Sequence, residues 1–204
     1  MGQRSRAAAT VLSTAGFRTA YSMEGGMNAW QGLTASGLPD EGMSFFPEQS
    51  GPAELIALAW ILEDGTGKFY TSVAGILSDK EAIKLFTDLA SAEEHHKSTL
   101  LGLYLTMTGM EPRQDFPHDV ITADNDTVEG GVKLGAALLW VKGRDVRQAL
   151  EFSMALETNA YDRYIKMKRR ISGEQGQRIF DLLIKQEKEH LGRMAALLDE
   201  KFSP

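Results

Sequence analysis

The chain has 204 residues, 43% hydrophobic and 25% charged, as expected of a soluble globular protein with one medium domain or one domain and an appendage. Its net charge of −6, with no basic stripe interleaved with aromatics, speaks against nucleic-acid binding. Cysteine is absent, which excludes disulfides, thiolate catalysis, zinc ribbons and thiolate-ligated iron within the chain.

The opening MGQRSRAAAT lacks the apolar core of a signal peptide. No later apolar run approaches the roughly 20 residues of a membrane span, so the expected location is the cytoplasm. Residues 1–48 differ in texture from the rest. They are glycine-rich, with turn signals at Glu24-Gly25-Gly26 and Gly37-Leu38-Pro39. Residues 5–15 read as a short helix, 19–23 as a strand and 28–33 as another short helix, a poor independent core. Gly2-Gln3-Arg4-Ser5, Ala7-Ala8, Gly16-Phe17, Met23-Glu24-Gly25-Gly26-Met27, Ala29-Trp30 and Gly37-Leu38-Pro39 resemble the C-terminal part of a rhodanese domain. The cysteine that opens the active loop in that family has no counterpart here, so an active sulfurtransferase is not expected. The segment reads as a fragment of a longer protein or as a packing or dimerisation element.

A linker over 39–52, rich in Gly, Ser, Glu and Pro, leads into a region of helical periodicity, and the second unit is placed at 49–204. Pro52 suits a first helical position behind Ser50-Gly51. The first helix carries Ile56, Ala59, Glu63, Gly67, Tyr70, Ala74 and Leu77 at core spacing. Ser78-Asp79-Lys80-Glu81 reads as a capping box opening a second helix with the stripe Leu85, Leu89, Glu93, His96, Leu100 and Leu103. The segment 108–144 is too long for a hairpin turn, carries loop signals, and includes a short helix expected over 132–141. A third helix presents Leu150, Ser153, Glu157, Ala160, Tyr164 and Met167. Ser172-Gly173-Glu174-Gln175 then caps a fourth, with Ile179, Leu183, Glu187, His190, Met194 and Leu197. Short turns make the first and second helices, and the third and fourth, antiparallel neighbours. The expected fold is all-α, a four-helix bundle with one long crossover.

The two halves repeat at an offset of 94 residues, which relates Glu63 to Glu157, Tyr70 to Tyr164, Glu93 to Glu187 and His96 to His190. Flanking pairs such as Leu62/Leu156, Phe86/Phe180 and Leu89/Leu183 keep the same offset. Each half thus offers a lone Glu on one helix and Glu-x-x-His on the next, and residues three apart share a helix face. Burying an unpaired carboxylate costs several kcal/mol, so inward glutamates imply partners. A buried Arg or Lys could supply one, but none recurs at a core-spaced position in all four helices. Two divalent ions would neutralise the four carboxylates, which makes Glu63, Glu93, His96, Glu157, Glu187 and His190 the candidate metal ligands. His95 lies off the stripe and His118 in the crossover, and both read as surface residues. Tyr70 and Tyr164, each two turns beyond a lone Glu, read as core aromatics or as hydrogen-bond donors to a metal-bound carboxylate. Gly65 and Gly67 each cost a helix about 1 kcal/mol relative to alanine. They are expected to make space beside the site or to allow close helix contact.

These motifs over residues 52–204 resemble the rubrerythrin branch of the ferritin-like superfamily. The resemblance implies a di-iron centre of two iron ions, with Glu63 and His96 terminal to one ion, Glu157 and His190 terminal to the other, and Glu93 and Glu187 bridging. It further implies reduction of hydrogen peroxide to water in oxidative-stress defence. Two departures stand out. Many members carry a second Glu three residues after the lone Glu of the third helix, where this chain has Ala160. The family's four-cysteine rubredoxin-like module is also missing, so electrons would come from an external donor such as a rubredoxin-like protein or a flavoprotein. The other readings are an O₂-dependent ferroxidase in iron handling and a non-catalytic metal-binding or sensor module. Manganese or zinc would suit the same ligands. A homodimer is expected, because Phe17, Trp30, Phe45 and Phe46 need covering.

Overall fold

The structure is a computed structural model and describes residues 50–109, 115–122, 126–171 and 173–202. The rhodanese-like segment, and with it the apolar residues that motivate a dimer, lies outside the described residues. Four long helices form the body: α1 (Pro52–Ile76), α2 (Lys80–Thr108), α4 (Val146–Arg170) and α5 (Glu174–Phe202). A short helix α3 (Leu134–Val141) lies in the crossover, preceded by a two-stranded hairpin of β1 (Thr127–Val128) and β2 (Val132–Lys133) around the 3₁₀ turn Glu129–Gly131. The all-α, ferritin-like expectation is borne out. Among the described residues no helix is long and apolar enough to cross a membrane.

Local sequence sets the helix ends. Pro52 opens α1, and the Glu54 carboxylate accepts from the Gly51 N–H at 2.8 Å. For α2 the cap is Asp79 rather than Ser78, because its carboxylate accepts the Ala82 N–H at 2.9 Å. Asp145 and Gln148 form a reciprocal box at the start of α4. Ser172, expected to cap α5, lies outside the described residues. The helix read over 132–141 starts two residues later, because Val132 and Lys133 pair with Val128 and Thr127 instead.

Side-chain pairings fix the directions. Within the first hairpin Lys97 bonds Asp64; within the second Lys168 bonds Asp181; Arg193 and Lys201 of α5 reach Asp88 and Asp79 near the start of α2. Each long helix is therefore antiparallel to its neighbours, and the crossover spans the parallel step from α2 to α4. All the core-spaced residues of α2 named above are buried, as are those of α4. The helix α1 is buried on more than its expected stripe, since Leu55, Ala57, Leu58, Ile61 and Phe69 are also inaccessible. Two apolar clusters divide the interior. One gathers Phe69, Phe86, Leu89, Leu150 and Met194 with Val128 and Val141 of the crossover. The other gathers Leu55, Ile56, Leu100, Leu103, Phe180 and Leu183. The polar residues lie between them.

The mid-helix glycines have separate reasons. A Cβ at Gly65 would sit 2.1 Å from the Thr127 carbonyl oxygen, so this glycine admits the crossover hairpin against α1. A Cβ at Gly67 would lie 3.2 Å from the Cβ of Glu93, so that glycine permits the close approach of α2 beside the polar site.

Candidate metal centre

The helical stripes bring Glu63, Glu93, His96, Glu157, Glu187 and His190 to one place. His190 is 6% exposed and the rest are at most 1% exposed. Donor atoms of Glu63, Glu93, His96 and Glu187 lie within 4.8 Å of one another, as do those of Glu93, Glu157 and His190. Glu93 belongs to both groups. Glu187 spans them: Oε1 is 3.2 Å from His96 Nδ1 and Oε2 is 3.5 Å from His190 Nδ1. The lone glutamates match one another, with Glu63 Oε2 3.4 Å from His96 Nδ1 and Glu157 Oε2 3.4 Å from His190 Nδ1. The two imidazoles stack with centroids 5.4 Å apart. His95 and His118 are exposed and take no part.

The donor atoms fit a metal better than they fit one another. His96 Nδ1 faces three carboxylates, at 3.0 Å from Glu93, 3.2 Å from Glu187 and 3.4 Å from Glu63, yet one N–H can serve only one of them well. One oxygen of Glu93 and both of Glu187 are buried without a hydrogen-bond partner among the described residues. Buried polar atoms are rarely left so. Carboxylate oxygens with imidazole nitrogens make a donor set suited to divalent transition metals.

In the metal-free chain, protons take the place of cations. Burial pushes the Glu93 carboxyl well above the usual range and the Glu63 charge pushes it further. Burial opposes ionisation of Glu63 too, but the contacts with Glu93 and His96 and the charges of His96 and Arg163 bring it to about 2. The second half holds its proton on the other partner: burial and the Glu187 charge raise Glu157 to about 8, while Glu187 falls below the usual range. Against the effect of burial, the surrounding carboxylates raise His96 and lift His190 to about 10.

The tyrosines cross between halves. Tyr70 of α1 donates its hydroxyl to Glu157 Oε1 at 2.5 Å, and Tyr164 of α4 donates to Glu63 Oε1. Burial and the neighbouring carboxylates raise both phenols well above 10, so they remain donors.

Two buried residues were not expected. Arg163 Nη2 donates to Glu63 Oε1 at 2.7 Å and also to Glu129 Oε1. An inward glutamate therefore does have a cationic partner, supplied once rather than repeated. Glu129 comes from the 3₁₀ turn of the crossover, and its N–H donates to Thr66 Oγ1 at 3.0 Å. Burial raises the Glu129 carboxyl, Arg163 pulls it down, and the charges of Glu63, Glu187 and Glu157 push it up again. The sequence signal for this pair is a defect in the repeat, since Phe69 stands where the 94-residue offset places Arg163. The mid-helix Gly65 and the Gly130-Gly131 pair, both at positive φ, mark where the turn approaches.

The family model described as rubrerythrin matches residues 54–198, which take in α2 and α4, nearly all of α1 and α5, and all six candidate ligands. The chain belongs to the rubrerythrin family. A solved structure of a hypothetical protein from Pyrococcus furiosus is similar in fold, with a TM-score of 0.58 and 24% identity over 80% of this chain and 95% of that one. No curated protein matches the chain. As a rubrerythrin-family protein it is a ferritin-like protein of the di-iron kind, with buried Glu and His clusters that could hold metal.

Proposed function

We propose that this protein is a di-iron oxidoreductase that reduces hydrogen peroxide to water. The observation that carries the reading is the buried set of four carboxylates and two imidazoles with unsatisfied donor atoms. Glu63 and His96 would hold one ion and Glu157 and His190 the other, with Glu93 and Glu187 shared. When bound, two ferrous ions supply the two electrons that an O–O bond accepts, becoming ferric while peroxide and two protons become two waters. The chain's own residues set the conditions. The four carboxylates neutralise two divalent charges, Tyr70 and Tyr164 orient Glu157 and Glu63, and the apolar clusters keep bulk water out. Since His190 is the most exposed of the six ligands, and that only slightly, the site suits a very small oxidant. An external one-electron carrier protein or reduced flavin would return the ions to the ferrous state.

The test is stopped-flow absorbance of the anaerobic di-ferrous protein mixed separately with hydrogen peroxide and with O₂. Oxidation at least tenfold faster by peroxide is expected. Faster oxidation by O₂ would replace this reading with a ferroxidase. No reaction with either would leave a metal-binding module.

A further inference from the structure

The two lone glutamates occupy equivalent places in the repeat but not equivalent surroundings. Oε1 of Glu157 accepts one neutral donor, the Tyr70 hydroxyl. Oε1 of Glu63 accepts two, the Tyr164 hydroxyl and the Arg163 guanidinium. That leaves Oε2 of Glu63 as the oxygen that faces His96. Arg163 is itself held from a third side: its Nη2 is shared with Glu129, and its guanidinium lies 4.3 Å from the Tyr164 ring centre. Glu129 is fixed in turn by its N–H bond to Thr66, by the approach of Thr127 to Gly65, and by Gly130 against Asn159, where a Cβ would come within 2.6 Å of the amide nitrogen. Glu63, Thr66, Glu129, Arg163 and Tyr164 are all buried, so the tie acts in a low-dielectric interior where charge-assisted bonds are strong. Nothing in the first half corresponds to it, because Phe69 stands at the matching position.

We propose that Arg163 and Glu129 are positioning residues that pin Glu63 through one oxygen and make the two ion positions unequal, so that the Glu63 side is set in advance and the Glu157 side adjusts. This rests on the two-ion reading above. Glu129 matters as much as the arginine, because it accepts from the same Nη2 and so holds the guanidinium against Glu63 from the crossover side.

The test is anaerobic Co(II) titration followed by the visible absorption of the bound ion, with metal content checked by elemental analysis. The wild-type chain is expected to bind two Co(II). His190→Ala should leave the Glu63-side ion and His96→Ala the Glu157-side ion. Glu129→Gln should then weaken the remaining ion at least tenfold in the His190→Ala background and less than threefold in the His96→Ala background. Equal weakening in both backgrounds, or none in either, would overturn the inference. Arg163→Lys keeps the charge, but its shorter side chain ends before the place from which Nη2 serves both carboxylates, and it should weaken the same ion three- to tenfold. It carries the test if Glu129→Gln does not fold, and an unchanged affinity would overturn the inference there too. A wild-type chain that binds no Co(II) would sink the metal reading itself. Two ions bound with Glu129→Gln silent would sink only the positioning role.

Discussion

Gly65→Ala tests how the crossover is docked on the bundle. The added methyl would lie 2.1 Å from the Thr127 carbonyl oxygen and 2.7 Å from its carbon, both backbone atoms that no rotamer change can remove. The hairpin must retreat by roughly 1.3 Å or more to reach ordinary contact. Such overpacking costs about 1–3 kcal/mol. The retreat also stretches the buried Glu129 N–H to Thr66 bond, whose loss is worth another 1 kcal/mol or so. Alanine returns about 1 kcal/mol of helix propensity. The net expectation is a loss of about 2 kcal/mol, or a melting temperature lower by about 4–8 °C for a chain of this size. Gly102→Ala is the internal control. No atom lies within 4 Å of a Cβ there, so it should raise the melting temperature by about 2–4 °C. Calorimetry of the metal-free proteins reads both. A Gly65→Ala variant as stable as wild type, beside a stabilised Gly102→Ala, would refute the claim that backbone contact at Gly65 seats the crossover.

Further expectations concern the site. Glu187→Gln, whose two oxygens face both imidazoles, should reduce bound metal from two ions to fewer than one per chain, whereas Glu157→Gln should cost one; elemental analysis after loading separates them. Tyr70→Phe should destabilise the metal-free protein by about 1–3 kcal/mol in urea unfolding. Tyr164→Phe should cost less, because Glu63 retains Arg163. The pH dependence has opposite signs with and without metal. His190 is raised to about 10 and Glu157 to about 8, so the folded apo chain binds more protons than the unfolded one. Their contributions are complete below the unfolded values of 6.5 and 4.5, and they are lost as pH rises through 10 and 8. Thermal melts of the apo protein should therefore fall between pH 6.5 and 10. Ion binding must expel those protons, so Co(II) affinity should rise over the same range, up to about tenfold per pH unit for each proton released.

The six candidate ligands were legible because each lies on an apolar stripe and recurs at one offset, a coincidence that solvated Glu-x-x-His pairs would not produce. The bundle followed from the same stripes and from the short turn at 77–79. Arg163 was not legible, because arginine on a helix with Lys166, Lys168, Arg169 and Arg170 reads as part of a solvated face. Glu129 was hidden by its setting in a polar, glycine-rich connection, where a carboxylate is normally wet. Their burial depends on the crossover lying against α1, a tertiary contact without periodicity. The helix α1 shows the same effect: its stripe fits one face, but the crossover covers part of another, so Phe69 is buried in one cluster with Val128 and Val141. The caps erred by a single residue at Asp79, where two adjacent side chains could each have served.

The crossed tyrosines have a consequence for what each half can be alone. Tyr70 belongs to the first hairpin and secures Glu157 of the second, and Tyr164 does the reverse. A single hairpin of this pattern thus lacks both the donor for its own glutamate and the acceptor for its own phenol, and it could complete the arrangement only by meeting a second copy. Two identical copies related by a twofold axis must change together, because every substitution appears on both sides at once. Covalent joining lifts that constraint. With both hairpins on one chain, position 69 can hold phenylalanine while position 163 holds arginine, and the two corresponding glutamates are free to differ in their surroundings.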